Sequence, residues 1–342
     1  DSGRTALWLY TSGSAGGRKG VPKTLANIGE ELAALEGTFG TRLGACTVLS
    51  TVSHQHIYGL LFRLFWPLCS GRPFIAETPL LWDELPAGGA GSSPVCLVSS
   101  PAHLGRVCSP GAEISPPPGC RAVFSSGAPL AAEAALAIRR RWHLPVVEVF
   151  GSTETGGVGW RVQSGPEASS LWTPLPGVKV SVSRGCRLRV SSPFASRPLS
   201  GGWCAMGDRG ELKPDGSFAA AGRVDRIVKI AGKRISLDEM ESRLTGHPWV
   251  AEAVLAVLED GAPGRSFIGA LLVLNRAGKQ YLGSGGRLAA GREFRRYLAG
   301  HFEAVTLPRY FRYADSVPRN SQGKISRADI AGTFCQPAGR RS

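Results

Sequence analysis

The chain has 342 residues, 43% of them hydrophobic, and a mean hydropathy of −0.02; this predicts a soluble globular protein with room for two domains. No apolar run is long enough to cross a bilayer and the eight cysteines contain no Cys-x-x-Cys pair, so a cytoplasmic protein with no signal peptide, reduced thiols and no zinc site is expected. The net charge of +14 comes from dispersed arginines, with small groups only at Arg139–Arg141 and near the C-terminus. That dispersion argues against nucleic-acid binding and suits a solvated surface able to attract an acidic or phosphate-rich protein partner.

In chain order, a short apolar run, Ala6–Tyr10, leads into the loop Tyr10–Gly20, which holds glycines, hydroxyl residues, Arg18 and Lys19. A helix is predicted over Leu25–Phe39. Apolar runs at Cys46–Val52, Val95–Val98, Ala122–Phe124 and Val146–Phe150 alternate with helical stretches at Tyr58–Leu68 and Ala131–Trp142, the pattern of an α/β domain with buried, largely parallel strands. From about Trp160 to Gly222 short strands and Gly, Pro and Ser turns predict an antiparallel or barrel-like subdomain, with strands at Val178–Ser183, Arg187–Val190, Glu211–Lys213 and Ser217–Ala220. A small α+β domain follows, with strands at Ile227–Ile230, Ala253–Leu258 and Ile268–Leu274, and helices at Leu237–Leu244, around Glu293–Leu298 and near Ser326–Ala331. Asp260–Arg265 and Ala277–Arg287 read as glycine-rich loops.

Strand, glycine-rich loop and helix is an arrangement that wraps phosphate, because small residues let backbone N–H groups approach the oxygens. A Walker loop fails on spacing: counting from Gly13, Arg18 stands where the second glycine belongs, and Gly20 follows Lys19. A flexible Gly/Ser turn with an incidental lysine is the competing reading of the loop alone. Four further blocks carry chemistry-bearing residues. They are Phe124–Leu130, a strand and glycine turn; Val149–Thr155, a strand end with hydroxyls and a carboxylate; Gly207–Leu212, a turn into a strand, joined downstream by Gly222–Ile235; and Asn320–Ile325 near the end of the chain.

In this order and spacing the blocks resemble the ANL superfamily of acyl- and aryl-CoA synthetases, peptide-synthetase adenylation domains and luciferases. The resemblance implies a large AMP-binding domain over 1–222, β-rich from about 160, then a hinge at 223–225 and a small mobile α+β lid over 226–342. It also implies that the large domain is incomplete upstream, since the phosphate loop lies so close to residue 1. Thr11, Ser12, Gly13, Ser14, Gly16 and Lys19 would hold the β- and γ-phosphates of ATP, and Gly127, Ala128 and Pro129 would face the adenine, with Phe150 stacking on it. Thr153 would touch the α-phosphate, Glu154 would hold Mg2+, and Asp208 and Arg223 would bind the ribose. Lys324 would lie between the attacking carboxylate and the α-phosphate. His56, Tyr58 and Gly151 would line the acid pocket, with Trp160 beside them; Asp225 would be the hinge and Gly232 would border the thiol tunnel.

The chain departs from the family at Met206, where Thr or Ser is usual, at Phe150, where tyrosine is usual, and at Ala15, where threonine is usual. The implied reaction joins a carboxylic acid to ATP, giving an acyl-adenylate and pyrophosphate, then passes the acyl group to the thiol of CoA or of a carrier-protein phosphopantetheine. The closest style of block is that of aryl-polyene or xanthomonadin-type synthetases that activate an aromatic acid such as 4-hydroxybenzoate. A fatty or short-chain acyl-CoA synthetase, a non-catalytic nucleotide-binding remnant and a basic nucleic-acid binder remain as competing readings.

Overall fold

The computed structural model describes residues 3–12, 18–79, 82, 93–108, 113–164, 170–196, 201–259, 266–319, 325 and 327–335. The chain divides into two compact units, 1–221 and 222–342. In the first, β1 (Thr5–Ser12) and β2 (Arg18–Thr24) form an antiparallel hairpin that sets Tyr10 opposite Gly20 and Thr11 opposite Lys19. Helix α1 (Leu25–Leu35) starts only after β2, at a capping box in which Thr24 accepts from the Asn27 backbone and the Asn27 side chain accepts from the Thr24 backbone. The glycine-rich loop is therefore the connection of a hairpin and not the entry to a helix. The reason is visible in Arg18–Thr24, where Val21 and Lys23 are buried and their neighbours are not, a strand's alternation.

The main sheet has six strands in the order β3 (Thr47–Ser50), β4 (Val95–Ser99), β5 (Cys120–Ser126), β6 (Val146–Ser152), β7 (Gly156–Gln163), β8 (Thr173–Pro174). β3 to β6 run parallel; β7 and β8 turn back antiparallel. Trp160, read from sequence as the start of the β-rich part, is a residue of β7 and so belongs to this sheet. One face of the sheet packs on α1 through Ile28, Leu32 and Leu35; the other packs on α2 (Ala132–Trp142) through Ala134, Ala135 and Ile138. Continuous burial along β3 and β4 follows from cover on both faces.

The helices at 25–43 and 57–69 each contain a π-helical stretch, Glu36–Gly40 and Leu60–Phe65. These turns bring Phe39 and Phe62 onto Phe124 of β5, at ring-centroid distances of 5.1 and 5.3 Å, and both rings also meet Trp66. Gly59, at the start of the second helix, is needed because a Cβ there would collide with the Ser53 carbonyl oxygen.

A four-stranded sheet completes the unit, ordered β12-β11-β10-β9 from β9 (Lys179–Val182), β10 (Arg187–Ser191), β11 (Cys204–Leu212) and β12 (Phe218–Arg223). Gly207–Leu212, expected to turn before becoming a strand, is extended throughout, because β11 pairs with β10 from Cys204 to Arg209.

In the second unit β13 (Ile227–Ile230) and β14 (Lys233–Ser236) form a hairpin, followed by α3 (Leu237–Thr245), capped by the Ser236 side chain. β15 (Val250–Glu259), β16 (Ser266–Leu274) and β17 (Tyr310–Ala314) make a mixed sheet, antiparallel then parallel. It is flanked by α4 (Arg276–Ala299) and α5 (Arg327–Cys335). The stretch Ala277–Arg287 is thus helical, not a loop, with only Gly286 leaving helical geometry at φ 77°. Asn275 caps the helix by accepting from the Gly278 N–H, and Tyr281 stacks on Trp249 at 4.0 Å, contacts that override the poor helix propensity of its glycines. Asp260–Arg265, expected as a loop, lies outside the described residues.

Candidate active site

The hairpin β1–β2 presents Lys19 to the turn between β6 and β7, where its ammonium lies 3.2 Å from Glu154 Oε1, 135 residues away in sequence. The turn is fixed from within. The Ser152 N–H donates to Thr155 Oγ1 at 3.2 Å, the Thr155 N–H to Ser152 Oγ at 3.2 Å, and the two hydroxyls meet at 3.0 Å, leaving Thr153 and Glu154 at the tip. Partial burial pushes the Glu154 carboxyl up. Hydrogen bonds from its own backbone N–H, from Lys19 and from Ser152 outweigh that and hold it below the ordinary glutamate value. Gly151 has a packing reason to be glycine, since a Cβ would run into the Gly156 carbonyl oxygen across the hairpin.

Behind the tip are two buried titratable side chains that the sequence reading missed. Lys23, 1% exposed, donates to the Phe194 carbonyl at 2.6 Å, and Glu31, 3% exposed, accepts from the Gly157 N–H at 2.6 Å. Burial lowers the Lys23 pKa, and burial pushes Glu31 up to about 7 against the opposing pull of the Gly157 hydrogen bond and the Lys23 charge. An alternation with every second residue of β2 buried would have flagged Lys23; nothing local marks Glu31.

The segment Gly127–Pro129 follows β5 directly, with Gly127 at φ 93°. Its two ends are tied to β6: Ser126 Oγ donates to the Val149 carbonyl at 2.7 Å, and the Leu130 N–H donates to Glu148 Oε1 at 2.7 Å. Glu148 is ion-paired to Arg161 at 2.6 Å, and the Arg161 guanidinium lies over Trp172 at 4.3 Å. Glu148, Arg161 and Trp172 are therefore supports of this loop that no sequence motif announced. Phe150 lies in the same region but packs its ring against Trp172 at 5.2 Å and Phe218 at 5.7 Å. Asp208 lies mid-strand in β11, half-buried, next to Met206 whose side chain is in the core.

His56 sits at the N-cap position of the helix at 57–69, although its side chain does not cap it. Tyr58 packs on Phe62 at 4.9 Å and Trp160 on Phe39 at 5.4 Å, so both border the same aromatic cluster. Burial pushes the Tyr58 hydroxyl well above its ordinary pKa.

In the second unit the Arg223 N–H donates to Asp238 Oδ2 at 3.0 Å, and Asp225 falls in a 3₁₀ turn, Val224–Arg226. Arg226, unremarked in the sequence reading, is buried and paired with Asp238 at 2.7 Å and with Glu241, which also accepts from the Leu255 N–H at 2.6 Å. Gly232 is at the tip of the β13–β14 hairpin, with φ 83° beside Ala231 at φ 48°, the pair of positive values a tight two-residue turn requires. Gly13, Ser14, Gly16 and Lys324 lie outside the described residues, as do the side chains of Thr11, Ser12 and Asp225.

A family model described as AMP-binding enzyme matches residues 1–199. The chain belongs to the AMP-binding enzyme family. Among curated relatives of this AMP-binding enzyme, a sulfoacetate–CoA ligase of Cupriavidus necator is 28% identical over 95% of the chain, and a 4-hydroxybenzoate–CoA/benzoate–CoA ligase of Rhodopseudomonas palustris is 25% identical over 94%. The chain spans 66% and 63% of those relatives' own lengths, less than two thirds of either. The ATP-bound structure of MatB from Rhodopseudomonas palustris superposes with a TM-score of 0.80 at 21% identity, covering 98% of this chain and 69% of that one. The fold is thus the mixed α/β fold of adenylate-forming enzymes. Among the described residues no helix is long and apolar enough to cross a membrane, and no three His, Cys, Asp or Glu side chains converge as a metal cage.

Proposed function

We propose that this AMP-binding enzyme is an acid–thiol ligase: it activates a carboxylic acid as its adenylate with ATP and passes the acyl group to a thiol. The observation that carries the reading is the meeting of Lys19 with Glu154, which unites the first and third sequence blocks at one point beside the ordered turn bearing Thr153. Lys19 would attract the β- and γ-phosphates, and Thr153 would donate a hydrogen bond to the α-phosphate. The tied loop Gly127–Pro129 would cover the adenine, Asp208 would accept from the ribose hydroxyls, and Arg223 would reach the same sugar.

A magnesium ion fits the Glu154 carboxylate: hard oxygen, half-exposed, held ionised, and sufficient because Mg2+ on ATP needs only one or two protein carboxylates. Such an ion would neutralise charge developing on the phosphate oxygens. Lys324 would stand between the two anions that must approach each other, offsetting their repulsion and stabilising the pentacovalent phosphorus. Gly232 would border the thiol's path and Asp225 would act as the hinge for a swing of the small domain.

For the acid, we propose an aromatic carboxylate. Tyr58 and Trp160 border a cluster of Phe39, Phe62, Trp66 and Phe124, and His56 stands at the entrance of the same helix. Relatives named for sulfoacetate and for 4-hydroxybenzoate are similar to this chain at nearly equal identity, so identity does not choose the acid. The thiol would be that of CoA or of a carrier-protein phosphopantetheine; the +14 charge suits an acidic carrier protein. A hydroxamate-trapping screen across aromatic and aliphatic acids tests the choice. Capture with an aromatic acid is expected, and capture only with aliphatic acids would replace this reading with a fatty or short-chain one.

A further inference from the structure

Beneath the Lys19–Glu154 ion pair lies a second lysine with an unusual set of partners. Lys23 shares a face of β2 with Lys19 and Val21, because residues two apart on a strand point to the same side. Its ammonium donates to the Phe194 carbonyl at 2.6 Å and reaches the carbonyl of Glu154 itself at 3.5 Å. The strap Pro193–Ser196 is held on its other side by Asn27, whose amide donates to the Pro193 and Ala195 carbonyls at 2.8 and 3.3 Å. From that strap the Ser196 N–H donates to the same Glu154 carbonyl at 3.1 Å. Glu31 holds the far limb of the turn through Gly157. Strand, turn and strap therefore converge on one buried ammonium.

Stability does not explain a lysine here. Burying an ammonium is unfavourable, and an apolar side chain of similar volume usually serves the core as well or better. What the ammonium can do, and a methionine cannot, is bind two carbonyls of different segments at a fixed spacing.

We infer that Lys23 is a positioning residue for the phosphate end of the nucleotide: by holding the Glu154 main chain against β2, it sets the spacing between the Lys19 ammonium and the Glu154 carboxylate. The inference rests on the proposed reading of those two groups as the phosphate and metal side of an ATP site. It predicts selectivity, since AMP lacks the phosphates that this spacing serves.

The test is calorimetric titration of Mg·ATP and of AMP into the wild type, K23M and K23M/E31Q, with melting temperatures and acid-dependent pyrophosphate release measured alongside. The double variant also removes the buried carboxyl near Lys23, so it keeps the test open if K23M does not fold. The expected result is a loss of Mg·ATP affinity of about tenfold or more in the folded variants, with AMP affinity unchanged to within about twofold. Unchanged Mg·ATP affinity, or equal losses for ATP and AMP, would overturn the inference. Should the wild type bind Mg·ATP yet release no pyrophosphate with any acid, the ligase reading falls, while the ratio of ATP to AMP affinity still decides the role of Lys23. A wild type that binds no Mg·ATP would overturn both.

Discussion

Lys19 and Glu154 are exposed enough that their ion pair adds little to stability, so its value must lie in what it holds ready. Lys19→Ala and Glu154→Gln should therefore leave the melting temperature nearly unchanged while lowering kcat/KM for Mg·ATP by about 100-fold each, read from pyrophosphate release. Glu148 is the opposite kind of residue. It is 2% exposed, paired to a guanidinium that is itself largely buried, and Glu148→Ala leaves that charge alone. A loss of about 3 kcal/mol in denaturant unfolding is expected, together with a raised KM for ATP as the Leu130 anchor goes. Glu31 adds a pH signature. Its carboxyl is raised to about 7, so between roughly pH 4.5 and 7 the native state holds a proton that the unfolded chain has released. Stability contributed by that proton is complete at the acid end and is lost as pH rises through the window. Glu31→Gln, which can still accept from Gly157, should flatten melting temperature against pH there; an unchanged slope would refute the assignment. At this scale the sequence singled out Lys19, Thr153 and Glu154 because short motifs carry them, and Lys19 and Glu154 do meet in space. Lys23, Glu31, Glu148 and Arg161 were not, because their partners are distant in sequence and only folding shows that they are buried.

The strands of the main sheet were readable because burial on both faces leaves apolar runs, continuous in Val95–Val98 and interrupted only by the ion-paired Glu148 in Val146–Phe150. Two glycine-bearing stretches were not. The Arg18–Thr24 strand was hidden behind its loop, and Ala277–Arg287 carried loop composition although Asn275 and the Trp249–Tyr281 stack make it helical. Glycine thus means different things at different places. Gly29 lies exposed inside α1 with open space where a Cβ would go, so Gly29→Ala should stabilise by about 0.5–1 kcal/mol. Gly59 is pressed against the Ser53 carbonyl, so Gly59→Ala should destabilise by about 1–3 kcal/mol. Denaturant midpoints of the two variants check both signs: a Gly59→Ala variant as stable as the wild type would contradict the packing described for the 57–69 helix, and a destabilised Gly29→Ala would contradict the open space at α1.

Across the whole molecule the resemblance was readable from five modest motifs spread over both compact units, and the family model matches the part of them within 1–199. The acid was not readable, because the residues proposed to line its pocket, Tyr58 and Trp160, are far apart in sequence and come to one aromatic cluster only in space. Lys324 carries the central claim about chemistry, since in the proposed reading Lys19 and its loop serve nucleotide binding, whereas forming an acyl-adenylate needs a charge between two approaching anions. The most direct measurement is therefore acid-dependent pyrophosphate release from Mg·ATP across a panel of aromatic and aliphatic acids, in wild type and Lys324→Ala, with ATP affinity followed in parallel. The account predicts release with at least one aromatic acid, its loss by about 100-fold or more in the variant, and ATP affinity kept. Absence of release with every acid, or undiminished release by Lys324→Ala, would contradict it.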